Sequence, residues 1–118
     1  MINKVNISNK KIMIIEDEQD ILLLYKDYLI SRGYKVIVSS NTGVDAISDY
    51  KTFLPDVAII DYRLPNNENG LQIAKEILAV NENAAIVLVS AYESLKNIFH
   101  ADDISNRKNV KLLIKPIK

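Results

Sequence analysis

Cysteine is absent from this 118-residue chain, which excludes a redox role and a thiolate metal site. Net charge is absent too. Fifteen basic and fifteen acidic residues cancel, so nothing in the balance points to nucleic acid or an anionic membrane as partner. No apolar run approaches the ~20 residues that span a bilayer. Met1 to Lys10 are polar and lack the apolar core of a signal peptide. A soluble cytoplasmic protein is expected. Repeats, low-complexity stretches and internal linkers are missing as well, so the length suits one domain and not two. What is present is ordinary for a globular chain: 48% hydrophobic and 25% charged residues, enough to bury a core without disulfides.

The apolar residues fall into short runs and helical stripes. Lys11-Ile12-Met13-Ile14-Ile15 is too short for a helix and reads as a buried strand. The acids Glu16, Asp17, Glu18 and Asp20 follow at once. Ile21, Leu22, Leu24, Tyr25, Tyr28 and Leu29 then recur at helical spacing, and Gly33 is placed to end that helix. Tyr34 to Ser39 reads as a second strand. Asn41 can cap a helix carrying Val44, Ala46, Ile47 and Tyr50. Pro55 opens a third strand, Asp56 to Asp61. A loop runs from Leu64-Pro65 to Gly70, followed by an amphipathic helix with Leu71, Ile73, Ala74, Ile77 and Leu78. Ala85 to Val89 is a fourth strand. A weaker helix lies around Leu95, Ile98 and Phe99, with a polar continuation at Asp102-Asp103. Val110 to Ile114 is a fifth strand, closed by Lys115-Pro116.

Strands alternating with helices imply a parallel sheet with helices on its faces. The near-continuous apolar runs of strands one, three, four and five agree, since such strands are buried on both sides. The crossovers should be right-handed. Ligands of open parallel sheets bind beyond the carboxyl ends of the strands. Strand one ends at Glu16-Asp17, strand three at Asp61, strand four at Ser90 and strand five at Lys115. Carboxylates crowded together repel: at ~4 Å and an effective dielectric of ~20 each close pair costs about 4 kcal/mol. The group must take up protons or bind a cation, and hard oxygen ligands suit Mg²⁺. Asp61 could then attack a phosphoryl donor as a nucleophile, with Lys115 and Ser90 stabilising the transferred oxygens.

These residues carry a family resemblance. Ile14-Ile15-Glu16-Asp17-Glu18, Asp61-Tyr62-Arg63-Leu64-Pro65 with Gly70, Val89-Ser90-Ala91 and Lys115-Pro116 stand in the order seen in response-regulator receiver domains, which the chain resembles over residues 10–118. The resemblance implies a flavodoxin-like, open, five-stranded parallel sheet of order 2-1-3-4-5 with helices on both faces. It implies that Glu16, Asp17, Asp61 and the backbone carbonyl of Tyr62 hold Mg²⁺. It further implies that Asp61 is phosphorylated by a sensor histidine kinase or a phosphotransfer protein, and that Ser90 and Lys115 engage the phosphoryl group. The Lys115–Pro116 bond is usually cis in the family. Arg63 and Tyr92, each two residues beyond a site residue, would flank the acyl phosphate and shield it from water.

The chain also departs from the family pattern. Glu16-Asp17 replaces the commoner Asp-Asp. The stretch from Pro65 to Gly70 is one residue longer than usual. Leu112 stands where the family carries an aromatic switch residue, which brings the usual relay, though not phosphorylation, into question. The sequence stops at Lys118, where receivers continue into a fifth helix. Residues 1–9 are therefore expected to form an N-terminal arm, and residues 10–118 a receiver domain without its fifth helix. Either the chain is cut from a longer protein, or a second copy or another partner covers the apolar surface so left.

Each site residue also has a plainer reading. The acids after strand one could complement a helix N-terminus, Asp61 could form a turn, and Ser90 could be an ordinary turn serine. Lys115 could be a solvated lysine, although a buried strand and a proline constrain its aim. His100 reads as an exposed helix residue, and Tyr25, Tyr28 and Tyr50 as amphipathic edge residues. Three functions compete: a working receiver, a degenerate receiver that only binds a partner, and an enzyme on a similar sheet. The acidic loop after strand one would repel the phosphate of a flavodoxin-type site. An aspartate-nucleophile phosphohydrolase carries a second Asp where this chain has Arg63. The working receiver is the expectation, acting as a switch that catalyses only its own phosphotransfer and dephosphorylation.

Overall fold

The computed structural model describes residues 10–16, 18–38, 43–62, 69–90 and 95–114. Each apolar run becomes a strand and each stripe a helix. The elements are β1 (Lys11–Ile15), α1 (Gln19–Ser31), β2 (Lys35–Val38), α2 (Gly43–Phe53), β3 (Val57–Asp61), α3 (Gly70–Val80), β4 (Ile86–Ser90), α4 (Leu95–Ala101), a 3₁₀ turn (Asp103–Asn106) and β5 (Val110–Ile114). The strands form one parallel sheet in the order β2-β1-β3-β4-β5. Among the described residues no helix is long and apolar enough to cross a membrane.

Local chemistry explains where elements begin and end. Gly33, at φ 93°, stops α1, and its N–H donates to the Ile30 carbonyl at 3.0 Å. Asn69 starts α3: its side-chain oxygen accepts the Gln72 N–H at 2.8 Å. Four residues of α3, Ile73, Ala74, Ile77 and Leu78, then face the sheet at i, i+1, i+4 and i+5. α4 ends early because Asp102 takes the Ile104 N–H at 3.0 Å and turns the chain into the 3₁₀ segment.

The two faces of the sheet are covered unequally. Met13, Ile15, Ala58, Ile60, Ile86 and Leu88 pack under α2, α3 and α4 in the larger core. On the opposite face α1 is the one helix among the described residues that packs, through Leu22 and the half-buried Tyr25 and Leu29, over Ile12, Ile14, Val57 and Ile59. Beside α1 a groove of about 420 Å³ stays open, lined by Tyr25, Tyr28, Leu29, Ile59, Val89, Leu113 and Ile114.

Two expectations change on this account. β5 does not have two buried faces: its burial alternates, and Leu113 is 57% exposed because no described helix lies over it. Tyr50 is not an edge residue. It is buried in the larger core at 3% exposure, and its hydroxyl accepts a hydrogen bond from the Asn81 side chain at 3.2 Å, which lets a phenol sit where a purely apolar ring was not required. His100 is exposed as expected, set edge-on to Phe99.

Lys75 of α3 pairs with Asp102 at 2.6 Å. The Lys75 ammonium, with the Ile104 N–H, holds the Asp102 carboxyl below its ordinary value. A depressed carboxyl contributes stability above its unfolded pKa and loses it as pH falls through the folded value. Lys75→Met is therefore expected to lower stability slightly at about pH 6 and less at about pH 2.5, the effect being small because solvent screens the pair. Urea titrations of both proteins at the two pH values check this; an equal loss at both would show that the lysine acts through packing.

Candidate functional site

The parallel register sets the carboxyl ends of the strands side by side. The β1–β3 pairing runs to Ile15↔Ile60, so the next residues, Glu16 just past β1 and Asp61 at the end of β3, stand as neighbours at about the 4.8 Å strand spacing. Period-two alternation puts both in the rows of Ile14 and Ile59, on the α1 side. Both are buried, Glu16 at 4% exposure and Asp61 at 6%. Ser90, last in β4 and opposite Ile114, is buried at 2%. Among the described residues, every buried side-chain nitrogen or oxygen has a hydrogen-bond partner. One oxygen of Glu16 accepts the Glu18 N–H at 3.1 Å, which ties the carboxylate to the turn leading into α1.

Tyr62 is held through its backbone. Its N–H donates to the Val89 carbonyl at 2.9 Å, and its own carbonyl accepts the Gly70 N–H at 2.6 Å. The expected metal role of this carbonyl would have to use the second lone pair. Tyr62, Leu71, Leu88, Phe99 and Leu112 line a tight apolar seam with no room for a water molecule. Leu112 thus fills the place beside the sheet edge with an aliphatic group. The structure brings Glu16, Asp61, Tyr62 and Ser90 to one edge. Asp17, Arg63, Tyr92 and Lys115, with the Lys115–Pro116 bond, lie outside the described residues.

Two buried carboxylates on adjacent strands are costly unless opposite charge or a proton compensates them. Glu16 and Asp61 supply hard oxygens of the kind Mg²⁺ prefers, so they fit. Among the described residues no group of three or more metal-ligating side chains occurs.

Gly70 is the residue whose part sequence reading missed. It belongs to the quoted pattern as a loop residue, yet it is buried in the first turn of α3 against the Asp61 backbone. The pair Asn69-Gly70 before an amphipathic stretch was the available signal for a helix start.

The family model of the response regulator receiver domain matches residues 12–118. The chain belongs to this family, the receiver modules of two-component phosphorelay signalling. Among curated relatives, the chemotaxis protein CheY of Thermotoga maritima is 32% identical over 82 residues, 70% of this chain and 68% of the relative. Sporulation initiation phosphotransferase F of Bacillus subtilis is 26% identical over 96 residues, 81% of this chain and 76% of the relative. Among solved structures, the response regulator TrrA of Thermotoga maritima in complex with Mg²⁺-BeF superposes with a TM-score of 0.77 at 26% identity, covering 93% of this chain and 90% of the other. TrrA in complex with the histidine kinase ThkA gives a TM-score of 0.74, covering 93% and 89%.

Proposed function

We propose that this receiver is a phosphorylation-dependent switch with Asp61 as phosphoacceptor. One Asp61 carboxylate oxygen forms a bond to the donor's phosphorus. The P–N bond of a phosphohistidine on a sensor kinase or phosphotransfer protein breaks, and the imidazole leaves with the electron pair and takes up a proton. Glu16, Asp17 and Asp61, with the Tyr62 carbonyl, would hold Mg²⁺, which supplies charge neutralisation for the phosphoryl oxygens. Ser90 and Lys115 stabilise those oxygens as the group arrives. The observation that carries the reading is the burial of Glu16 and Asp61 side by side at the carboxyl edge. The kinase complex of the similar TrrA supports the partner class, and its Mg²⁺-BeF complex supports the metal. The setting is cytoplasmic, and the domain turns over no second substrate.

The test is incubation with acetyl phosphate and Mg²⁺, read by intact mass. A gain of one phosphoryl group that needs the metal supports the reading. No gain by protein with a folded circular dichroism spectrum would favour the second reading, a receiver that binds partners without phosphorylation. Leu112 in the seam and the open groove beside α1 favour that alternative. The groove is open to cover by a continuation of the chain, a second copy or another protein; light scattering that finds only a stable monomer, with no partner present, counts against the second copy.

Arg63 and Tyr92 shield the acyl phosphate. The double substitution Arg63→Ala with Tyr92→Ala should speed its hydrolysis by about tenfold, roughly 1.4 kcal/mol of barrier. Loss of the phosphoryl mass over time measures this, and an unchanged half-life would remove the shielding role.

A further inference from the structure

We infer that Gly70 is a positioning residue for the acceptor, holding the Asp61–Tyr62 backbone by a hydrogen bond and by direct contact that only glycine permits. The inference rests on the reading of Asp61 as phosphoacceptor.

A helix leaves its first N–H groups without intrahelical acceptors. In α3 the Gln72 N–H is taken by the Asn69 side chain. The Gly70 N–H goes instead to the Tyr62 carbonyl at 2.6 Å. The chain therefore leaves β3 after Tyr62 and is fastened at Gly70 to the same strand end. Tyr62 and Gly70, eight positions apart in the chain, are joined directly by this bond.

The contact is as specific as the bond. A Cβ on Gly70 would overlap the Asp61 carbonyl oxygen, stand 2.8 Å from Ile60 Cγ2 and 3.0 Å from the Asp61 carbonyl carbon. Two of these three atoms are backbone. They cannot rotate away as the end of a flexible side chain can. Asp61 itself is fixed on its other side by the β3–β4 ladder, through Asp61↔Val89 and the Tyr62 N–H to the Val89 carbonyl. Any side chain at position 70 must push α3 off the strand, losing the bond to Tyr62, or must shift Asp61. Both outcomes move the acceptor carboxylate relative to Glu16, which is placed by a different strand. A displacement near 1 Å at a reacting group costs on the order of a hundredfold in rate.

The experiment compares the intact wild-type chain with Gly70→Ala, and uses Ile77→Val and Ile77→Ala as controls that loosen α3 about two turns away from the site. Phosphorylation by acetyl phosphate with Mg²⁺ is followed by intact mass across donor concentrations, and stability by urea titration. Gly70→Ala should lower the rate at saturating donor on the order of a hundredfold, with the half-saturating concentration little changed. An Ile77 variant of matching stability should keep the wild-type rate. A Gly70→Ala rate equal to that of the matched control overturns the inference. If Gly70→Ala does not fold, amide exchange of the wild type decides. The Gly70 N–H should exchange as slowly as those of β3, and its resonance should move on phosphorylation; exchange at the rate of an open helix end overturns the inference. A wild type that gains no phosphoryl group overturns the acceptor reading itself, and this inference with it.

Discussion

Asp61→Asn should abolish the phosphoryl gain and, in the absence of divalent metal, make the protein more stable. The two effects have one cause. Glu16 and Asp61 lie buried on neighbouring strand ends, where carboxylates that are both ionised repel across a low dielectric. Removing one charge while keeping shape and hydrogen-bonding capacity relieves that repulsion, by on the order of 1–3 kcal/mol after screening. The sign follows from destabilisation by the pair: the folded state, not the unfolded chain, carries the crowding. Added Mg²⁺ should stabilise the wild type by mass action and the variant less, so the gap narrows as metal is titrated in. Urea titrations in chelator and in Mg²⁺ measure both. A variant that is less stable than wild type in chelator would show that the Asp61 charge is already well compensated by fixed groups of the protein, and the argument for a cation would lose its footing.

Phe99→Ala should have the largest effect on stability, about 3–5 kcal/mol. Phe99 is 5% exposed and closes the seam of Tyr62, Leu71, Leu88 and Leu112. Those neighbours come from α3, β4, β5 and the end of β3, so none can collapse into the gap without moving an element. The cavity would be apolar and would stay dry. A loss of this size is a large part of the ~5–15 kcal/mol that holds a domain together, and chemical denaturation reads it directly. A loss under about 1 kcal/mol would mean that α4 relaxes onto the sheet, and that the seam is softer than its packing indicates.

The contrast between those two residues marks what sequence reading reached. Asp61 stands out in the sequence because it ends an apolar run, and parallel sheets present strand ends to ligands. The same reasoning reached Glu16 and Ser90, and the strand limits of β1 and β5 were read to the residue. Phe99 was placed only on a weak helix, since periodicity over seven residues cannot say which neighbours a ring meets. Tyr50 was misplaced at an edge because a phenol is amphipathic in sequence. Whether its hydroxyl finds a partner depends on Asn81, 31 residues away.

The sequence by itself determined the alternation of strands and helices, the acidic and hydroxyl groups at the strand ends and the balance of charge. These depend on local period and on the direction of the chain, which each segment carries with it. Only the tertiary structure decided that, among the described residues, three helices crowd one face while α1 serves the other. It also decided that the Tyr62 carbonyl is held by Gly70, and that Glu16 and Asp61 are buried as neighbours. Those facts come from register and close approach between segments far apart in the chain. A contact that excludes even a methyl group, as at Gly70 against Asp61, is a property of two backbones meeting and has no trace in either segment alone.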